Sequence, residues 1–478
     1  MTVTAAEEEK PARSDPRAPN HDLRRGVHRL ATVLCLLPLL VLLARQALRL
    51  PNGPLITVYG FFVLATTTAM LYLAYARYTD PSTTPPRRSR RVAPALAAHP
   101  TLSFLVAVKD EVDGIERCVR SMAASDYRPL QIIVADDGST DGTGEVLDRL
   151  AAELRAAGAD LTVLHLPENL GKKHALVRAA RFADGDVIAF TDSDCVVAPD
   201  ALRRCVHALV THPELGAVSG HARALNADET LLTRAQDVWY EGQFRIAKAA
   251  EASFGAVTCV SGPLAVFRRD AILNYLPAWA SDRFLGGEFR FATDRQLTGY
   301  VLGQRWVGEK LKREHADSPF VRDTDYPARA WRVGYVHSAR VATVVPPKVR
   351  PFLRQQVRWK KSFIRNLFFN GRFMWRLGAG AAALYYGHAI WVAAAPTMAF
   401  LHLVWAPAHG LWTIPLLYLC GVLLKGTAWG LAFKVDNPGS PRWRYRPVMS
   451  LISATMLAWL LPYSLLTIRR SVWSRGTG

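Results

Sequence analysis

The apolar positions of this chain fall into two regimes. In the middle they come in short bursts: LSFLVAV (102–108), LQIIVADD (130–137), LTVLHL (161–166) and DVIAFTDSD (186–194) each read as a buried strand. Between them, EVDGIERCVRSMAA, GTGEVLDRLAAELRAAG and GKKHALVRAARFA repeat their apolar residues at helical spacing. Strands alternating with helices predict an α/β domain built on a mostly parallel sheet with right-handed crossovers. Such sheets take ligands at the carboxyl ends of their strands. Three of those ends are polar here: Lys109-Asp110-Glu111, Asp136-Asp137-Gly138 and Asp192-Ser193-Asp194.

Elsewhere the apolar runs are long. Asn52 to Ala76, Leu377 to Leu424 and Pro447 to Ile468 carry no Asp, Glu, Lys or Arg. Roughly twenty residues of helix cross a bilayer core, so the second run has room for two spans. A further run, Ala31 to Ala44, follows Arg24, Arg25 and Arg29; with no small-residue cleavage site after it, it reads as a retained anchor. The expected layout is a disordered polar segment at 1–27, two spans within 28–76, and a Pro/Arg-rich linker at 77–100. The soluble domain follows at 101–345, then interfacial helices at 346–378 and two spans at 379–434. An apolar segment at 447–468 is re-entrant, interfacial or spanning, and a basic tail at 469–478 ends the chain. A full third crossing would put Arg469, Arg470 and Arg475 on the side opposite the other basic clusters, which favours an interfacial or re-entrant path for 447–468.

Composition agrees with a membrane protein carrying one large domain: 478 residues, 50% hydrophobic and 21% charged. The net charge of +19 gathers at the ends of the apolar runs, as in RRSRR (87–91) and RWRYR (442–446). That placement follows the positive-inside rule and suits anionic lipid. It argues against nucleic acid as a partner and for a multi-pass plasma-membrane protein with its α/β domain in the cytoplasm. The six cysteines show no metal spacing and read as buried thiols of a reducing compartment.

Four clusters carry candidate chemistry. Asp137, in VADDGSTDGT, ends a strand and suits hydrogen bonds to a nucleoside, although Asp, Gly and Ser also make an ordinary solvated turn. Asp192 and Asp194, two apart on a strand end, point the same way and repel, which Mg2+ (or Mn2+) shared with a diphosphate would relieve. Lys172 and Lys173 follow Gly171 at a helix start, a position that suits phosphate, with the choice between them open. Asp294 begins another helix, where it is either a cap or a general base. The Ser261-Gly262-Pro263 turn allows close approach of backbone to a ligand, and a basic amphipathic stretch holds Gln355, Arg358 and Trp359. Lys425 lies inside an apolar run, where an ionisable group ordinarily faces a bundle interior or a water-filled path.

DDGSTDGT, TDSD, SGPL, TDRQLT and QQVRW occur in the order and spacing of processive, membrane-embedded family 2 glycosyltransferases. The chain resembles hyaluronan synthases most and, more distantly, the nodulation chitin-oligosaccharide, chitin and cellulose synthases. The resemblance runs from about residue 30 to 478 and includes Lys425 and the tail LLTIRRSVWSRGTG. Three places depart from it: Thr293 stands where relatives often have an acidic residue, AVKDEV replaces their usual first strand end, and WSRGTG rearranges their tail motif. The resemblance implies a GT-A fold that binds nucleotide sugar, and a membrane-embedded inverting enzyme using UDP-sugars. Asp137, Asp192 and Lys172 or Lys173 would hold the nucleotide, and Asp194 the metal. Asp294 would be the base. Gln355, Arg358 and Trp359 would bind diphosphate and acceptor, Ser261, Gly262 and Pro263 would flank the acceptor, and Lys425 would line a channel. The product it implies is a hyaluronan-like polysaccharide made from UDP-N-acetylglucosamine and UDP-glucuronate, grown on the polymer as acceptor and exported. The alternatives are a chitin-like product or a lipid acceptor, and, in a different class, a non-catalytic nucleotide-binding receptor or transporter.

Overall fold

A computed structural model describes residues 54–85, 93–291 and 293–470. The expected segments at 1–27 and 28–48 and the tail from 471 lie outside the described residues, as does part of the linker.

Ten strands are present among the described residues: β1 (Leu102–Val108), β2 (Leu130–Asp136), β3 (Asp160–His165), β4 (Val187–Asp192), β5 (Cys195–Val197), β6 (Leu215–Ala224), β7 (Ala265–Arg268), β8 (Arg283–Phe284), β9 (Gly287–Glu288) and β10 (Arg332–Thr343). Eight form one sheet in the order β3-β2-β1-β4-β7-β6-β10-β5, and β8 pairs with β9 in a small hairpin. The half predicted from sequence, β3-β2-β1-β4, is parallel throughout. Every residue of β1 is buried, as expected of a strand covered on both faces. The other half is mixed: β7 runs antiparallel between β4 and β6, β10 is parallel to β6, and β5 is antiparallel to β10. The expected α/β fold is observed, with a less uniform sheet than alternation alone implies.

The helices used below are α1 (Pro54–Tyr72), α2 (Ile115–Ala123), α3 (Thr143–Ala156), α4 (Lys172–Ala179), α5 (Ala201–Thr211), α6 (Leu231–Glu241), α7 (Thr293–Arg313), α8 (Val349–Asn370), α9 (Ala379–Phe400), α10 (Thr413–Asp436), α11 (Tyr445–Thr455) and α12 (Leu460–Leu466). Thr230 caps α6, accepting from the Thr233 N–H, and the helix runs on into a wide turn at Gly242–Lys248. Two helical stretches, Ala379–Ala408 and Thr413–Asp436, are long and apolar enough to cross a membrane. Among the described residues, a third crossing is present only if Pro441–Thr455 and Leu457–Leu466, bent by 41° at their junction, act as one span. The bend lies inside the segment for which sequence left a re-entrant path open.

α8 joins the two parts of the molecule. Phe352 packs with Ala235 of α6, Met449 of α11 and Leu457 in one buried cluster. Arg365, on the same helix, is buried and forks onto both oxygens of the buried Asp282. A second junction is polar. Arg223 of β6 holds Asp237 of α6 at 2.7 Å, and Arg442 reaches the same carboxylate at 3.0 Å. Arg245 pairs with Asp436 at the end of α10 at 3.1 Å, and Tyr75 donates to that carboxylate at 2.7 Å.

Removing one partner of a buried pair leaves the other charge uncompensated, at a cost on the order of 3–5 kcal/mol. Arg365→Met should therefore lower the thermal midpoint of detergent-purified protein by that equivalent, since Asp282 keeps only Lys173, 3.8 Å away. An unchanged midpoint would contradict the bridging role given to this pair.

Candidate active site

The polar strand ends meet. The ends of β1, β2 and β4, the 261–263 turn, the start of α7 and one face of α8 line a single cavity of about 1460 Å3. Its far wall is made by α1 (Phe62, Thr66, Met70) and α9 (Leu384, His388, Trp391). The cavity thus runs from the sheet to α1 and α9, of which α9 belongs to a stretch long and apolar enough to cross a membrane.

Asp137 follows β2 directly, and its carboxylate accepts the backbone N–H groups of Leu170 and Gly171, each at 2.8 Å. It is 3% exposed, and burial holds its pKa above the ordinary carboxylate value against those two hydrogen bonds. Gly138 has φ +69°, and a Cβ there would lie 2.9 Å from the Glu168 carbonyl carbon, so only glycine lets the two loops touch. Lys109 closes the corner, donating to the Gly138 carbonyl at 2.6 Å.

Asp192 ends β4 and Asp194 precedes β5. Their oxygens and the Cys195 sulfur lie within 4.8 Å of one another. Burial pushes the Asp194 carboxyl up to about 6, and the neighbouring Asp192 adds to the shift. Two close acidic oxygen donors fit a hard divalent cation such as Mg2+ or Mn2+; the buried thiol does not suit one. Lys172, at the start of α4, pairs with Asp192. Burial works against its ammonium, but Asp192 and then Asp194 outweigh it and leave the pKa raised. Arg358 faces both carboxylates from α8; burial draws its pKa down while they hold it up.

Lys173, one residue on, points elsewhere. It donates to the Phe289 carbonyl at 2.8 Å and to Gln296 at 2.6 Å, and burial draws its pKa down to about 8. The helix start therefore separates the two lysines between which sequence left the choice open, Lys172 on the cavity and Lys173 in the core.

The 261–263 turn is fixed by Thr191, which donates to the Pro263 carbonyl at 2.8 Å. A Cβ on Gly262 would lie 2.8 Å from Asp192 Oδ2, so this glycine admits the carboxylate. Asp294 stands in the first turn of α7, where its Oδ1 accepts the Arg295 N–H at 2.8 Å and its Oδ2 accepts the Cys259 thiol at 3.2 Å. Thr298 ties the same turn to the neighbouring loop, donating to the Asp294 carbonyl at 2.7 Å and accepting the Val260 N–H at 2.8 Å.

Gln355, Arg358 and Trp359 all line the cavity from α8. Trp359 is 37% exposed and stands 5.7 Å from Trp239 and 6.1 Å from Tyr240, ring centre to ring centre. Gln355 Oε1, Gln356 Nε2, Asn366 Oδ1 and Asn370 Oδ1, on the same helix, are buried without a protein hydrogen-bond partner. Lys425 is not part of the lining; its ammonium lies 3.4 Å from the ring centre of Trp391, which is.

Sequence reading missed Trp239, Tyr240, Lys248, Glu251, Arg295 and Lys360, all of which line the cavity. Cys259, read as a buried thiol, is partly exposed against Asp294, and Cys420 is exposed. The adjacent Trp-Tyr in DVWYEGQF was the one usable signal, since two large amphipathic rings side by side suit a carbohydrate-sized ligand.

Residues 103–276 match the Glycosyl transferase family 2 model. The chain is 32% identical over 293 residues to an N-acetylglucosaminyltransferase of Mesorhizobium japonicum, covering 60% of this chain and 61% of that protein. It is 32% identical over 310 residues to an N-acetylglucosaminyltransferase of Rhizobium leguminosarum bv. viciae, covering 64% of each. The chain thus spans less than two thirds of the length of these relatives. Among solved structures, the mannosyltransferase PcManGT of Pyrobaculum calidifontis, in complex with GDP-Man and Mn2+, aligns with a TM-score of 0.51 at 19% identity, over 87% of this chain and 98% of that one. That likeness establishes a GT-A-like fold.

Gly262→Ala should weaken Mn2+ binding about tenfold, because the added methyl displaces a candidate ligand oxygen. Titration followed by electron paramagnetic resonance would read this, with unchanged circular dichroism as the control; undiminished affinity would remove Asp192 from the metal site.

Proposed function

We propose that this protein is an inverting N-acetylglucosaminyltransferase. It would use UDP-N-acetylglucosamine to extend a β-linked saccharide whose reducing side lies in the membrane-facing part of the cavity. The observation that carries this reading is the single cavity joining the Asp192/Asp194 pair to α1 and α9. The sugar follows the N-acetylglucosaminyltransferases to which the chain is similar, and it moves the product from the hyaluronan-like polymer implied by motif resemblance toward a chitin-like oligomer or polymer. A second donor, UDP-glucuronate, remains the other reading, since the five motifs and Lys425 are shared with hyaluronan synthases.

Asp137 orders the loop from which Lys172 reaches the nucleotide side. Asp192 and Asp194 would hold a divalent cation, Mg2+ or Mn2+, which would supply charge neutralisation of the leaving diphosphate. Arg358, planar and always charged, adds hydrogen bonds to the same oxygens. Glycosyl transfer passes through an oxocarbenium-like state as the anomeric C–O bond to diphosphate breaks. Asp294 takes the proton of the attacking hydroxyl; one base and one displacement give inversion at the anomeric carbon. Trp359, with Trp239 and Tyr240 beside it, is the floor on which the acceptor sugar stacks. The unpaired amide atoms of Gln355, Gln356, Asn366 and Asn370 suit sugar hydroxyls along α8. The cytoplasmic face of the plasma membrane is the location that the basic clusters favour.

Purified protein with Mn2+ should release UDP from UDP-N-acetylglucosamine alone, and Asp294→Asn should lower that rate about a hundred- to ten-thousandfold. Release that requires UDP-glucuronate as well would select the two-donor reading. No release with any UDP-sugar would overturn the catalytic assignment and leave a nucleotide-binding receptor. Separately, Lys172→Ala should weaken UDP affinity about tenfold by calorimetry, whereas Lys173→Ala should lower the thermal midpoint and spare affinity. Equal effects on affinity would contradict the separation of the two lysines.

A further inference from the structure

The membrane-facing half of the cavity is basic in a way the transfer reaction does not use. Lys360 follows Trp359 on α8 and Arg295 follows Asp294 on α7; both line the cavity, with His388 of α9 in the same wall. Lys360 forms no ion pair or hydrogen bond among the described residues, and the charged group acting on it is another cation, Arg295. The charged neighbours of His388 are likewise all cations: Arg295, Lys360 and Lys425. Lys248 is turned onto the Cys259 carbonyl. Two carboxylates share this half of the cavity. Asp294 is held by the Cys259 thiol at 3.2 Å, and Glu251 accepts the Thr258 hydroxyl at 2.8 Å and its N–H at 3.1 Å. Neither is bound to Lys360.

An ammonium withdrawn from water without a counter-charge is costly, and a site that keeps one is built for an anion that arrives with the ligand. The donor diphosphate is not that anion, because it is already matched by Lys172, Arg358 and the metal pair. What reaches Lys360 is whatever lies behind the acceptor sugar on Trp359, toward α1 and α9. Burial, with Arg295 adding to it, draws the Lys360 pKa down to about 8, as expected of a cation awaiting a partner.

We propose that Lys360, backed by Arg295, forms an anion subsite for the acceptor, receiving a carboxylate or phosphate carried behind the sugar that is extended. This rests on Trp359 being the acceptor floor. Two sources share that chemistry: an acidic sugar within the growing chain, and the phosphate of a lipid carrier whose hydrocarbon would lie along the apolar residues of α1 and α9.

The test is binding rather than turnover, so that it stands apart from the donor assignment. Affinities would be measured by calorimetry, with UDP and Mn2+ present, for three probes: chitotetraose, a tetrasaccharide of equal length containing a uronate, and a short isoprenyl phosphate bearing N-acetylglucosamine. The wild type should bind at least one anionic probe about tenfold more tightly than chitotetraose, and the tighter of the two identifies the source. Lys360→Gln should bring that ratio close to one, and Lys360→Arg should keep it; unchanged UDP affinity in both variants shows that the fold is intact. Equal affinities in the wild type, or a preference that survives Lys360→Gln, would overturn the subsite.

Discussion

Two carboxylates held side by side at the end of a buried strand repel each other, and the arrangement of this site follows from offsetting that repulsion. The end of β4 and the turn into β5 bring Asp192 and Asp194 together. Lys172 approaches from α4, and Arg358 approaches from α8. A divalent cation would supply the remainder. The consequence is architectural. α8 adds a second cation, Arg358, to the Lys172 that the α/β domain itself supplies, and α8 is the element packed against the C-terminal helices through Phe352, Met449 and Leu457.

The part of the fold that was legible from sequence is the part whose contacts are local. β2, β3 and β4 each follow a helix at short range, and the apolar bursts of β1 to β4 lie where the strands do. The antiparallel placement of β7 was not legible. Its apolar run, LAVF, specifies a buried strand but not a direction, which is set by pairing to β4 and β6 over long separations in the chain. The bend between Thr455 and Leu457 was foreshadowed by charge rather than by hydropathy, through the arginines beyond Ile468.

The same distinction holds in the site. Asp137, Asp192, Asp194, Asp294 and Arg358 stand in dense motifs that mark them in the sequence, and all five line the cavity. Lys172 and Lys173 could not be separated by reading, because adjacent residues at a helix start differ only by about 100° of helical rotation. Trp239, Tyr240, Lys248 and Glu251 come from a helix that is buried nearly all round and then widens at Gly242–Lys248, so no periodicity marks which side faces the cavity. The pairing of Arg442 with Asp237 joins residues 205 apart, and nothing local in RWRYR distinguishes it from a charge cluster at a membrane surface.

Those long-range pairs also explain how a catalytic domain and a membrane cavity can share one wall. α8 is fixed at both ends of its useful face: Phe352 lies in the apolar cluster near its start, and Arg365 is clamped to Asp282 near its end. Lys361, between them, donates to the Arg470 carbonyl at 2.8 Å and so ties the helix to the chain beyond α12. A helix held at three points presents Gln355, Arg358, Trp359 and Lys360 as a rigid row. Any shift of α10 or α11 relative to the sheet would have to break the Arg223, Arg245 and Arg442 pairs or carry α6 with it, and α6 bears Trp239 and Tyr240. Trp239, Tyr240 and Arg358 are therefore coupled to the C-terminal apolar helices by the same charged pairs that hold the molecule together.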